Sequence, residues 1–522
     1  MRTDIVIVGA GSAGCVLAGR LSEDPEISVL LLEAGRPDKK LEIRIPAAFS
    51  KLFKTSYDWA YETAPQEHAG GRRMYWPRGR VLGGSSSINA MIYIRGHRGT
   101  YDAWAREGCE GWGYDDLLPI FKRSENYEEG AGGYHGVGGP LNVAPPVDPN
   151  PLAHRFLEAA SALGLPRNED FNGAVQEGVG FYRLTQKGAK RHSAADAFLK
   201  PSLYRPNLKV LTGARVIRVL VENGRAVGVE YLHEGSTKIV SAGQVIASGG
   251  AVASPQLLLL SGIGPPADLE ALGIPVTADL PGVGENLQDH LMLALNYGCR
   301  KKITLSGAES LGSLLRYVFF KKGLLTSNVA ECGGFLSLDS GAEVPDLQFH
   351  FAPGFYKNHG FDNPQGHGFG IAPTLVQPAS RGRLTLASKN PLEPPVIDPR
   401  YLTDPRDLEV LCRGARRGQE IVESAPFDEL RGTAYFPADG IRDDPQALEE
   451  MIRTEAETLY HPVGTCRMGT DSRAVVDPRL RVHGIEGLRV VDASIMPSIV
   501  NGNTNAPTIL IGEMGADFVR GG

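Results

Sequence analysis

The chain contains no CxxC pair, no HExxH and no low-complexity tract or internal repeat. It also has no run of about 18 apolar residues, so a membrane-spanning helix is not expected. Its six cysteines lie far apart, at 15, 109, 299, 332, 412 and 466. That scarcity excludes a disulfide scaffold and gives no zinc-ligand spacing, so no metal is expected. A reducing cytoplasm fits it, with attachment to a membrane surface left open. Positive charge is also in deficit, with 54 Lys and Arg against 60 Asp and Glu. A net charge of −6 provides no global attraction to nucleic acid.

What is present is length, apolar content and glycine. The chain has 522 residues, 42% of them hydrophobic, enough for two to four domains at about 150 residues each. The 64 glycines and 36 prolines point to many turns and close backbone approaches. A signal-peptide reading of the first residues fails, because Asp4 interrupts the charged end and glycines punctuate the apolar stretch.

Those glycines have a pattern. Asp4–Val8 (DIVIV) reads as a buried strand, and Gly9-Ala10-Gly11-Ser12-Ala13-Gly14 follows it. Cys15–Ser22 reads as a helix, and Ile27–Leu32 as a second strand closed by Glu33-Ala34-Gly35. Gly9 permits the tight turn, Gly11 the approach of a pyrophosphate, and Gly14 close helix–strand packing. The helix N-terminus offers free N–H groups to phosphate, and Ser12 and Ala13 before it are expected cofactor contacts. Glu33, 19 residues after Gly14, is placed for a ribose diol and disfavours a 2′-phosphate. The motif implies a dinucleotide but does not separate NAD from FAD.

Five further motifs make that separation. They are GRVLGGSSSINAMIYIRGHRGTYD (79–102), GAVASPQLLLLSGIG (250–264), PGVGENLQDH (281–290), YHPVGTCRMG (460–469) and VVDASIMPSIVNGNTNAPT (490–508). In content and order the set resembles the glucose–methanol–choline (GMC) oxidoreductases over essentially the whole chain.

The resemblance implies an FAD enzyme acting on CH–OH groups. The expected fold is mixed α/β, with a Rossmann-like FAD-binding domain and an interleaved substrate domain built on an antiparallel sheet. The first is expected over 1–149, 206–295 and 456–522, and the second over 150–205 and 296–455. Asp346–Phe351 and Gly382–Leu386 alternate as strands of the second sheet should.

Expected flavin contacts are the Gly83-Gly84-Ser85 loop with Asn89, Ala90 and Met91, the backbone of Val216 at the adenine, Glu33 with Ala34, and Asp492 with Ala493. Asn503 and Thr504 precede a helix whose N-terminus would face the flavin pyrimidine edge. Some relatives carry a flavin-linked histidine where this chain has Ile88, so the FAD is expected to be non-covalent. His461 is the expected base for the alcohol proton, and Asn505 the expected donor to the substrate oxygen.

The expected partners are an uncharged primary alcohol and an electron acceptor, quinone or oxygen, with quinone favoured. Two other activities exist on this fold, a hydroxynitrile lyase and a flavin photoenzyme. The photoenzymes need a cysteine; Cys332 is near the corresponding place and reads as a small buried hydrophobe. Phe351, Phe355, Tyr356 and Phe361 read as core, and His350 beside them receives no role.

Overall fold

A computed structural model describes residues 2–339, 342–436 and 441–521. Its first element, β1 (Arg2–Val8), buries Ile5, Val6 and Ile7 and pairs in parallel on both sides, with Val29–Glu33 (β2) and with Ser241–Ala247. The covered stretch of a parallel strand has to be apolar, which is why IVIV (5–8) and VLLL (29–32) do not alternate. The sheet continues from β2 to Leu208–Thr212 at one edge. On the other side the long Ser236–Ala247 strand takes two partners. Its start pairs antiparallel with Arg225–His233, and its end pairs in parallel with Leu488–Val490. Arg215–Glu222 completes the sheet.

The helix α1 (Ser12–Leu21) begins three residues earlier than the sequence pattern suggests. Gly14 belongs to it because a Cβ there would lie 1.9 Å from the carbonyl oxygen of Gly9. α1 is buried on nearly every side, between the sheet and the C-terminal helix Asn505–Arg520. A helix enclosed in this way needs small residues, here Ala13, Gly14, Ala18 and Gly19. The buried Glu513 of the C-terminal helix ties the two ends of the chain together. It accepts from Arg20 of α1 at 2.8 Å and from Arg123 at 2.9 Å.

A second sheet is antiparallel. Its order is Arg431–Phe436, Leu295–Cys299, Gly368–Leu375, Leu347–Ala352, Cys332–Leu336 and Gly178–Phe181. The helix Pro405–Glu423 covers one face, where Gly414 and Gly418 let it approach Leu347 and Leu295. Strand alternation sends Leu347, Phe349 and Phe351 into the core, and Gln348, His350 and Ala352 to the other face. Phe351 stacks on Phe156 there, as a core residue should.

One expectation changes. Arg383–Thr385 forms a separate two-stranded ribbon with Val396–Asp398, so the 382–386 segment is not part of the large sheet. Leu291–Met292 adds to the large sheet, pairing with both Thr374–Leu375 and Glu457–Thr458.

Candidate active site

The two sheets meet at a cavity of about 330 Å³. Gly9, Gly11, Ser12, Ala13, Glu33 and Ala34 line one end of it. Glu33 is buried and held in place by the backbone. One carboxylate oxygen accepts from the Ala10 N–H at 2.8 Å and the other from the Gly35 N–H at 2.7 Å. Burial pushes its pKa up to about 7. Gly11 caps α1 without a side chain, and the first turn of the helix faces the cavity. Uncapped N–H groups at a helix start are an anion site.

Gly84, Ser85, Asn89, Ala90 and Met91 form an adjoining wall. A Cβ on Gly84 would lie 2.7 Å from the Gly11 Cα, so the two glycine loops touch through backbone alone. The second loop rests on a residue that the sequence reading missed. Buried Arg191 donates to the Ser86 carbonyl at 3.0 Å, and to the Asn89 side chain and carbonyl at 2.7 Å each. Val216, Asp492, Ala493, Asn503, Thr504 and Asn505 also line the cavity, whereas Gly14 and Gly83 do not and act through packing. Asp492 accepts from Ser254 at 2.5 Å and from the Gly250 N–H at 2.8 Å. A glycine cradle, a bare helix N-terminus and a fixed carboxylate together fit a dinucleotide.

His461 lines the other end. Its backbone N–H donates to Asp289 at 2.7 Å, and Asp289 also receives the hydroxyls of Thr458 and Tyr401. Burial raises Asp289 to about 6. The preceding Tyr460 has φ +67°, a left-handed conformation that this network holds in place. The His461 ring lies between His290 (Nδ1 to Nδ1, 2.9 Å) and the Asn503 amide (Nε2 to Nδ2, 3.3 Å).

These contacts assign a tautomer. Gln348 donates to Asn503 Oδ1, which leaves the Asn503 NH2 facing His461. His461 Nε2 is then the acceptor of that N–H, and the ring proton sits on Nδ1 toward His290. Burial, and after it His290, His350 and Arg78, hold the His461 pKa well below the ordinary histidine value. Burial alone takes His350 to about 3, and is the main cause that takes His290 there. His461 therefore carries no charge at neutral pH.

The geometry separates two neighbouring asparagines. Asn505 is not beside His461: its Oδ1 accepts from Ser12 at 2.8 Å, at the dinucleotide end. Asn505 is the first residue of the C-terminal helix, and Asn503 lies in the loop before it. The amide next to the His461 ring is thus Asn503. His350, given no role from sequence, also lines the cavity; its Nε2 has no partner among the described residues. Strand alternation in LQFHF is the signal that could have placed it there. His290 and Asp289 sit in the quoted 281–290 motif, but nothing local shows that they meet residue 461.

Tyr356 lines the cavity rather than the core, and Phe361 is 42% exposed. Cys332 is buried and directed at the Ala153 carbonyl, outside the cavity lining. Val329, Ala330, Ala352, Ile371 and Ala372 make the walls apolar. Among the described lining residues the carboxylates are Glu33 and Asp492, both assigned above to the dinucleotide end.

Comparison with known proteins gives the family. Two family models described as GMC oxidoreductase match residues 3–292 and 378–512. An alcohol dehydrogenase [acceptor] of Pseudomonas putida is 46% identical, over 99% of this chain and 95% of its own length. The human mitochondrial choline dehydrogenase is also 46% identical, over 99% of this chain and 89% of its own. Among solved structures, pyridoxine 4-oxidase from Mesorbium loti superposes with a TM-score of 0.93 at 36% identity, covering 100% of this chain and 99% of that one. These models match well over half of the chain, so the chain belongs to the GMC oxidoreductase family.

Proposed function

We propose that this protein is an FAD-dependent dehydrogenase that oxidises an uncharged primary alcohol to its aldehyde. The observation that carries this reading is the unprotonated Nε2 of His461, facing the Asn503 amide in one cavity with the dinucleotide cradle. FAD, when bound, supplies the acceptor for the hydride that leaves the alcohol carbon. The residues of this chain do the rest. Nε2 of His461 accepts the hydroxyl proton, a role that suits an imidazole kept neutral by burial. The Asn503 N–H donates to the substrate oxygen and stabilises charge developing there. Asp289 and His290 position the His461 ring. Ile88, which lines the cavity, has no nucleophile to link to flavin, so the FAD is non-covalent. Segments 1–149, 206–295 and 456–522 hold the FAD, and 150–205 with 296–455 hold the substrate.

The apolar walls near His461 and the absence of a carboxylate among the described lining residues there support a neutral substrate. A quaternary ammonium group would lose its hydration without compensation. The names of the relatives, an alcohol dehydrogenase [acceptor] and choline dehydrogenases, support a CH–OH donor. The test is flavin bleaching by alcohols under nitrogen, followed by dye-linked turnover. A neutral primary alcohol should exceed choline in kcat/KM, and air should support slower turnover than the dye. A choline advantage of about tenfold, roughly 1.4 kcal/mol in transition-state binding, overturns the neutral pocket.

A further inference from the structure

The helix Leu311–Phe320 is amphipathic in the wrong direction for a soluble surface. Leu311, Leu314, Leu315, Val318 and Phe319 fall at the i, i+3, i+4, i+7 and i+8 positions of one face. That face points away from the protein: their exposures run from 43% for Leu314 to 71% for Leu311 and Phe319, with Phe320 beside them at 73%. Tyr317 is the one buried residue of the helix. It packs with Ile45, Ala48 and Ala189, and its hydroxyl donates to the Ala189 carbonyl at 3.1 Å. Such a cluster of large exposed apolar side chains marks a contact surface.

The charge around the helix names the partner. Residues 301–322 carry five Lys and Arg and one Glu, in a chain whose net charge is −6. Lys302, Lys321 and Lys322 are exposed and form no ion pair among the described residues. Tyr317 also brings the hairpin at Ala189 alongside, with exposed Lys187 and Lys190 on either side of that residue. An outward apolar stripe ringed by lysines matches the acyl boundary and anionic headgroups of a bilayer. A second protein would have to be acidic and apolar at once to match it as well. No helix among the described residues is long and apolar enough to cross a membrane, so the contact is peripheral.

We propose that the Leu311–Phe320 helix lies on an anionic phospholipid surface, with Leu311, Leu314, Leu315, Val318 and Phe319 in the acyl boundary and the lysines at the headgroups. From this helix the chain runs directly to Asn328, Val329 and Ala330 of the cavity wall. The bound face is thereby next to the substrate side of the site. The proposal does not depend on which alcohol is oxidised.

The test is co-sedimentation of the flavin-loaded enzyme with phosphatidylcholine vesicles, with and without phosphatidylglycerol. Binding should favour the anionic vesicles by about tenfold or more and weaken as salt rises. Two variants separate the contributions: Leu315→Glu with Phe319→Glu, and Lys321→Glu with Lys322→Glu. Each pair should lower vesicle affinity about tenfold or more while turnover of a short, water-soluble alcohol stays at the wild-type level. No binding to anionic vesicles overturns the proposal. So does a wild-type dimer in analytical ultracentrifugation that the Leu315/Phe319 variant turns into monomer, since a second copy then covers the face.

Discussion

The two ends of the cavity are built by different means. The dinucleotide end uses backbone: Gly9, Gly11 and Gly84 clear space, and N–H groups of α1 face inward. The His461 end uses side chains from four distant segments, at 289–290, 348–350, 461 and 503. Removing a Cβ changes what a short stretch of chain can do wherever it sits. A histidine becomes a base only through what the rest of the fold places around it.

Substitutions test that difference, most strongly at the side-chain end. His461→Ala should retain FAD and lose roughly 10²–10⁴-fold in the rate of flavin reduction by alcohol, measured by anaerobic stopped flow. Near-wild-type reduction in the folded variant removes His461 from the mechanism.

The two asparagines separate the two ends directly. Asn503→Ala should cost about 10²-fold in the same rate, the usual loss for a donor to a developing oxyanion. Asn505→Ala leaves the base and its neighbour intact; it should change that rate by less than about threefold and act on FAD retention through its bond to Ser12. The reverse order would return the catalytic role to Asn505.

At the backbone end, Gly14→Ala places a methyl 1.9 Å from the Gly9 carbonyl oxygen. Overpacking of this kind costs about 1–3 kcal/mol. It should appear as a lower melting temperature and weaker FAD retention, with the reduction rate of the remaining holoenzyme unchanged.

The smallest expected effect is in pH. Because the His461 pKa is lowered, the neutral base persists as pH falls through the ordinary histidine value. The acid limb of kcat/KM should have an apparent pKa below 6.5. A limb at or above that value would mean that the ring is not desolvated in the working enzyme.

Much of the fold was legible in the sequence, for reasons that particular residues show. IVIV (5–8) and VLLL (29–32) are unbroken apolar runs because both faces of a central parallel strand are covered. The start of α1 was read late because glycine lowers helix propensity, and here close packing on Gly9 overrides that local preference. The 382–386 segment alternates as a sheet strand does, yet alternation does not choose a partner, and the ribbon with Val396–Asp398 took it.

By itself the sequence determined the dinucleotide cradle, since glycine spacing and the strand–helix–strand pattern act within about 30 residues of chain. It also determined which histidine stands in a family motif. The tertiary structure alone decided that Asn503 rather than Asn505 meets that histidine, that His290 and His350 crowd it, and that Asp289 holds its backbone. Two asparagines two residues apart are equivalent in a sequence. They separate only when one begins a helix against Ser12 and the other remains in the loop facing the cavity.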